Sequence, residues 1–210
     1  MPLIFNEKVL SHAKVAVWKI SEEESFFVKN THLQLDKKEL SLLKGGRRLE
    51  WLASRYVLSL LLDPDKKLKL QKDKFGKPQI RPKEFEISIS HSNGHVAAIV
   101  SKNAVGIDIQ KKVKKISRIA LKFTNDSEKA FIKNPFYLSN LHLIWGAKEC
   151  LFKAYGRKEV DFIKHLTIKP FLYRKDLTFE GHFQKNSSNL SFNFEHKRLK
   201  QFYLVYGEKT

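Results

Sequence analysis

The chain has 210 residues, 42% of them hydrophobic, which suffices for one large domain or two small lobes with a real core and excludes a disordered segment. A single cysteine, Cys150, excludes an internal disulfide and, with no His/Cys cluster around it, a structural zinc site; no run approaches the length of a membrane span, and "MPLIFNEKVL" is no export signal. A soluble, cytoplasmic protein is expected, and 40 Lys+Arg against 22 Asp+Glu, a net +18, predicts steering toward an acidic partner: nucleic acid, anionic lipid, an acidic protein or a phosphorylated small molecule. The lysines are scattered, without zinc-finger spacing, a basic zipper or an aromatic RNA-binding signature, so nucleic acid is not the expected partner.

In chain order, "KVAVWKI" (Lys14 to Ile20) alternates like a strand, and Ser21 with Glu24 reads as a capping box opening a helix. "LDKKELSLLK" and "RRLEWLASRYVLSLLL" read as two more helices, which Pro64 ends. Gly76, Pro78 and Pro82 make residues 75–84 a loop, followed by strands over 85–90, 95–100 and 105–110, the first two joined by an Asn93-Gly94 hairpin turn. The second half repeats this order: helices over 116–123, 127–133 and about 138–155, then strands at "DLTFEGHF", "LSFNFEH" and "QFYLVYGE". Helices first and a small antiparallel sheet last, twice over, predict an α+β chain of two packed lobes, 1–104 and 105–210, with a cleft between them.

Alternation in "VGIDIQ" puts Gly106, Asp108 and Gln110 on one face of a strand. That face is either solvated or a site where Gly106 leaves room for something bulky and a carboxylate and an amide oxygen suit a hard cation such as Mg²⁺. On the helix "LIWGAKECLFKAYG", Ile144, Ala147, Leu151, Ala154 and Tyr155 form an apolar arc with Lys148 inside it, and Glu149 and Lys153 share another face. Glu149 and Lys153 could be an ordinary surface pair, and Lys148 a stem on apolar surface with its ammonium in water. "ISISHS" alternates too: Ser88 and Ser90 lie opposite Ile87 and Ile89, and Ser90 with His91 either plays a structural part or donates hydrogen bonds to phosphate. No G-x-S-x-G elbow supports a hydrolase. Lys77 in "GKP" fits an anion or a plain turn, and "KGGRR" with Arg55 gives a basic helix face able to grip phosphate.

Taken in order, "FGKP", "ISISHS", "VGIDIQ" and "WGAKECLFK" resemble the signature series of the 4'-phosphopantetheinyl transferases, in particular the monomeric two-lobed class that activates peptide and polyketide synthases. The acids Asp108 and Glu149 stand 149 − 108 = 41 residues apart, as that series requires. The resemblance implies two similar α+β lobes about a pseudo-twofold axis, coenzyme A between them, and transfer of its phosphopantetheine arm to a serine of an acidic apo carrier protein, such as the acyl carrier of fatty acid synthesis. It further implies that Asp108 and Glu149, with Gln110, hold Mg²⁺; that Glu149 is the base, with Lys153 positioning it or touching the pyrophosphate; and that Lys148, Ser90, His91, Lys77 and Pro78 line the nucleotide phosphates. Lys37, Arg48 and Arg55 are further phosphate contacts in this reading. Many members carry a second acid where this chain has Gln110, so weaker ligation or a water is expected there. A transfer-inactive basic protein that holds a polyanion, whether a coenzyme A-like ligand or nucleic acid, is the competing expectation.

Overall fold

The computed structural model describes residues 2–132, 135–175 and 177–210. Its first part runs β1 (Leu3–Val9), β2 (Ala13–Lys19), α1 (Glu24–Asn30), α2 (Lys37–Leu42), α3 (Gly45–Ser59), β3 (Lys69–Lys72), β4 (Pro78–Arg81), β5 (Glu86–Ser92) and β6 (His95–Ser101). The rest runs β7 (Val105–Lys111), α4 (Ile116–Ile119), α5 (Asp126–Phe131), α6 (Tyr137–Tyr155), β8 (Leu166–Ile168), β9 (Thr178–Lys185), β10 (Ser188–Leu199) and β11 (Phe202–Lys209). This is the α+β class expected from sequence. One sheet has the order β1-β2-β6-β5 and the other β7-β11-β10-β9-β8, and their strands pair antiparallel. No helix among the described residues is long and apolar enough to cross a membrane.

Local chemistry accounts for most of these elements. Asn93 and Gly94 both take positive φ, 47° and 70°, as the β5–β6 hairpin turn requires. Helix α6 ends where Gly156 enters the left-handed region, φ 68°. The capping box expected at Ser21 and Glu24 does not form: the Glu22 carboxylate accepts from the Trp18 indole and from Ser21, and α1 starts without a side-chain cap. A true capping box opens α5 instead, between Asn125 and Glu128. The expected loop over 75–84 is in part a strand, because Pro78 can open β4 where its missing N–H matters least. Strands β1 and β8, short or irregular in pattern, were not anticipated, and the helix expected over 116–123 tightens at Ala120 into a 3₁₀ turn. Lys133, at the end of the expected 127–133 helix, Asp176, at the start of the expected "DLTFEGHF" strand, and Met1 lie outside the described residues.

Apolar packing forms separate clusters for the two sheets and a further one across the seam. In the seam Phe5, Val15, Val17, Ala97 and Ile99 meet Val105, Ile107, Ile109, Leu204 and Tyr206. There β5, the edge of one sheet, abuts β7, the edge of the other. The N–H groups of Ile107 and Ile109 donate to the hydroxyls of Ser88 and Ser90 at 3.3 and 3.2 Å. Side-chain oxygens thus satisfy an edge strand that would otherwise need carbonyls or water. Ser88 and Ser90 are buried, so a solvated face is excluded for them. On the opposite side of β7, a Cβ on Gly106 would lie 2.2 Å from the carbonyl oxygen of Cys150, so the bulky neighbour anticipated at this glycine is helix α6 itself.

Candidate functional site

The face of β7 that carries Gly106, Asp108 and Gln110 is turned toward α6, and each residue meets a different part of that helix. Asp108 is 6% exposed. Its Oδ1 accepts from the Ser90 hydroxyl at 3.1 Å and from the Lys153 ammonium at 3.0 Å, and its Oδ2 from the Gln110 amide at 3.0 Å. Lys153 also donates to the carbonyl of Ile107 at 2.8 Å. Burial pushes the Lys153 ammonium down, but the charge and hydrogen bond of Asp108, together with the influence of Cys150 and Glu149, outweigh it and the net shift is upward. Glu149, one turn before Lys153, is half-buried, and among the described residues its carboxylate has no hydrogen bond or ion pair. Burial raises its pKa, Lys153 opposes the rise and the charge of Asp108 adds to it.

A carboxylate held in place beside a second one that lacks a partner is a site that welcomes a cation. Mg²⁺ takes hard oxygen ligands, commonly one or two carboxylates with water and substrate phosphate completing the shell. Asp108 and Glu149 fit that donor set. Gln110 does not reach toward it as a third donor: its oxygen faces Nδ1 of His142 at 2.7 Å, and its NH₂ donates to Asp108 and to the His142 carbonyl. Among the described residues no group of three His, Cys, Asp or Glu side chains gathers for a metal. His142 was not singled out from the sequence, since a histidine seven residues ahead of Glu149 carries no motif.

Several cations assigned to phosphate are engaged within the protein. Lys148 is fully buried, with Nζ donating to Glu128 at 2.7 Å and to the carbonyls of Phe123 and Phe162 at 2.6 and 2.8 Å. Its ammonium neither snorkels to water nor faces the cleft, so Lys148 is withdrawn from the phosphate contacts. Lys77 reaches across the seam to the last turn of α6, where Nζ donates to the carbonyl of Ala154 at 2.7 Å and lies 3.4 Å from Glu86. The Ser90 hydroxyl is occupied by Asp108 and Ile109. Arg48 ties α3 to Glu24 and to the carbonyl of Leu40, and Lys37 is an exposed residue at the start of α2; neither lines a described cavity around the site.

Three neighbouring cavities share walls along this region. One of about 420 Å³ is lined by Arg47, Trp51, Arg55, Lys72, Pro78, Ile89 and His91. Arg55 lies flat on the Trp51 ring, 3.6 Å from its centre, and burial lowers its pKa to about 10 against the pull of Glu39 and Asp36. His91 is exposed, 3.2 Å from Glu50. Across Pro78 and Ile89 a second cavity of about 170 Å³ adjoins Lys77, Lys153 and Arg157. Across Phe152 a third, about 870 Å³, is walled by Trp145, Phe162 and Ile163 and contains Glu149. Trp51 and Arg157 were missing from the residues singled out by motif, whereas Arg47 belongs to the basic "KGGRR" face. The indole beside two arginines was the one available signal in the sequence.

The geometry has counterparts among known proteins. Residues 104–206 match the family model described as the 4'-phosphopantetheinyl transferase superfamily. A 113-residue alignment that covers 51% of this chain is 29% identical to the protein named 4'-phosphopantetheinyl transferase gsp from Aneurinibacillus migulanus. The match spans 46% of that relative's own length, about half of it. Both matches agree with the resemblance carried by the four motifs. The segment 104–206, with Asp108, Glu149 and Lys153 on it, belongs to the 4'-phosphopantetheinyl transferase superfamily.

Proposed function

We propose that this chain is a Mg²⁺-dependent phosphopantetheinyl transferase that moves the phosphopantetheine arm of coenzyme A onto a serine of an acidic apo carrier protein. The supporting observation is Glu149, half-buried and without a hydrogen bond or ion pair among the described residues, beside a fixed Asp108 and lining the largest of three adjoining cavities. In this reading the lobes are 1–104 and 105–210, related by a pseudo-twofold axis, and coenzyme A lies along their seam. Trp51, Arg55 and His91 would face the adenosine and its 3'-phosphate, Lys153 and Arg157 the pyrophosphate, and the aromatic wall of Trp145 and Phe162 the pantetheine arm.

Mg²⁺ between Asp108 and Glu149 would neutralise charge on the pyrophosphate as it is cleaved. Glu149 would take the proton of the carrier serine hydroxyl, directly or through a water. The serine oxygen then bonds to the phosphorus that carries pantetheine, the bond from that phosphorus to the bridging oxygen breaks, and 3',5'-bisphosphoadenosine leaves with the electron pair. Lys153 would hold Asp108 in place through their ion pair. The upward shift at Glu149 brings its pKa closer to neutrality, which favours a base that must also release its proton. The net charge of +18 supports attraction of both an anionic cofactor and an acidic carrier, and all these parts on one chain support a monomer.

The test is a panel of apo carriers incubated with the protein, coenzyme A and Mg²⁺, read by mass spectrometry for the added arm. Replacing Glu149 with alanine should lower the rate by about 10²-fold or more while the fold survives. Coenzyme A binding that ignores Mg²⁺, with no carrier modified, would instead favour the transfer-inactive polyanion binder.

A further inference from the structure

The carboxamide of Gln110 contacts three polar groups, and their chemistry fixes which end is which. The main-chain carbonyl of His142, 3.1 Å away, is an acceptor only, and so is Asp108 Oδ2 at 3.0 Å; the atom facing both must be the NH₂ group. The oxygen is then left facing Nδ1 of His142 at 2.7 Å, which must donate. That tautomer leaves Nε2 with a lone pair, and the Val113 N–H supplies a proton to it at 3.2 Å. Donors run in one direction from Val113 through His142 and Gln110 to Asp108; the Val113 carbonyl, 3.3 Å from Nε2, is the one contact that this tautomer leaves without a proton. The His142 ring is held flat against Tyr203, centres 4.8 Å apart, with Arg198 on the other ring's face at 4.1 Å. Helix α6 also makes room for the amide: a Cβ on Gly146 would come 3.1 Å from Gln110 Nε2.

From this geometry we infer that Gln110 is a positioning residue and not a cation donor: its carboxamide clamps Asp108 Oδ2 to α6 through His142. A carboxylate offers about four lone pairs. Ser90, Lys153 and Gln110 occupy three of those on Asp108, so the clamp leaves a single position, on Oδ2, for a cation. A glutamate at this position would set bare oxygens against Asp108 Oδ2 and the His142 carbonyl, with no proton between them. This chain therefore builds its cation site from two carboxylates and an amide brace. The clamp stands on the geometry alone, whereas its bearing on a cation rests on the transferase reading.

The experiment is nitrogen NMR on the ¹⁵N-labelled full chain, observing the His142 ring and the Gln110 carboxamide before and after Mg²⁺ with coenzyme A. The metal-free protein is expected to show the Nδ1–H tautomer and slow exchange of the Gln110 NH₂ protons; the opposite tautomer or a freely exchanging amide overturns the clamp. Saturation with Mg²⁺ and coenzyme A should leave both signals in place while resonances around Glu149 move. Loss of the bond from His142 Nδ1 to Gln110 on adding metal would make Gln110 a ligand and overturn the proposal. If nothing near Asp108 or Glu149 responds, the transferase reading fails, and the metal-free spectrum still decides the clamp. Gln110→Ala should weaken Mg²⁺ in the coenzyme A complex about 10- to 100-fold. A lower melting temperature with unchanged Mg²⁺ affinity would mean a merely structural role and sink the inference.

Discussion

Helix α6 carries two lysine–carboxylate pairs, and their surroundings are opposite. Lys148 and Glu128 are both wholly buried, and each is fully bonded: three acceptors for the ammonium, and main-chain donors from Asn125 and Ile168 for the carboxylate in addition to the lysine. Lys153, five residues further along the helix, and Asp108 on β7 are likewise bonded to one another, yet beside them stands Glu149 with no hydrogen bond or ion pair among the described residues. The first pair joins α5, α6 and β8 in the core. The second leaves a charge unbalanced at the edge of a cleft. A closed set of hydrogen bonds is what a structural ion pair requires, and an unmatched carboxylate in a half-dry place is what a cation or a proton can use.

Breaking the closed pair should have the largest effect. Lys148→Met strands a buried carboxylate and is expected to cost about 3–5 kcal/mol, read by chemical denaturation. Adding Glu128→Leu should recover only part of it, because the N–H groups of Asn125 and Ile168 then lose their acceptor. Next comes pH. His142 is buried, and desolvation leads the causes that pull its pKa from 6.5 to about 4, with the charges of Arg198 and Lys112 adding and Val113 and Asp108 opposing. A base depressed in the folded state contributes fully above the unfolded value and loses that contribution as pH falls from about 6.5 toward 4, here up to about 3 kcal/mol. His142→Asn should flatten the melting temperature across that window; an unchanged slope would assign the acid sensitivity elsewhere. Lys77→Met removes the cation at the C-terminus of α6 and should cost about 0.5–1 kcal/mol.

The smallest change sharpens the comparison by its sign. Glu149 has a raised pKa, so the folded protein holds that proton more tightly than the unfolded chain, and ionisation above the ordinary value of 4.5 works against folding. Glu149→Gln in metal-free protein should therefore raise the melting temperature slightly at neutral pH, and the gain should vanish as pH falls toward 4.5. Removing charge from the closed pair weakens the protein, whereas removing the spare charge strengthens it. A loss of stability in Glu149→Gln would mean that the carboxylate has a structural partner.

Strand alternation in "VGIDIQ" and helical spacing in "WGAKECLFK" were sufficient to put Asp108 and Gln110 on one strand face and Glu149 and Lys153 on one helix face, since both periods are local properties of the backbone; that the two faces meet is tertiary. The hairpin at Asn93-Gly94 was legible for the same reason: the two residues meet the positive φ that the turn demands. Strand β4 was not legible, because Gly76 and two prolines read as a loop until Lys69–Lys72 is present to pair with it. The role of the serines in "ISISHS" was hidden as well. Nothing near Ser88 or Ser90 in sequence reveals that the edge of another sheet, nineteen residues later, will seek their hydroxyls.

Residue order alone was enough for the α+β class, for the strand and helix faces that carry Asp108, Glu149 and Lys153, and for the family of the second half. Those depend on residue type, spacing and period, which survive in one dimension. Only the tertiary structure decided where each charge ends: Lys148 closed in the core, Lys77 on the end of α6, and Gln110 turned to His142. A hydrogen bond or an ion pair is chosen by which partner is within about 3 Å once the chain has packed, and by what water is excluded there. Neither condition is written in the order of the residues.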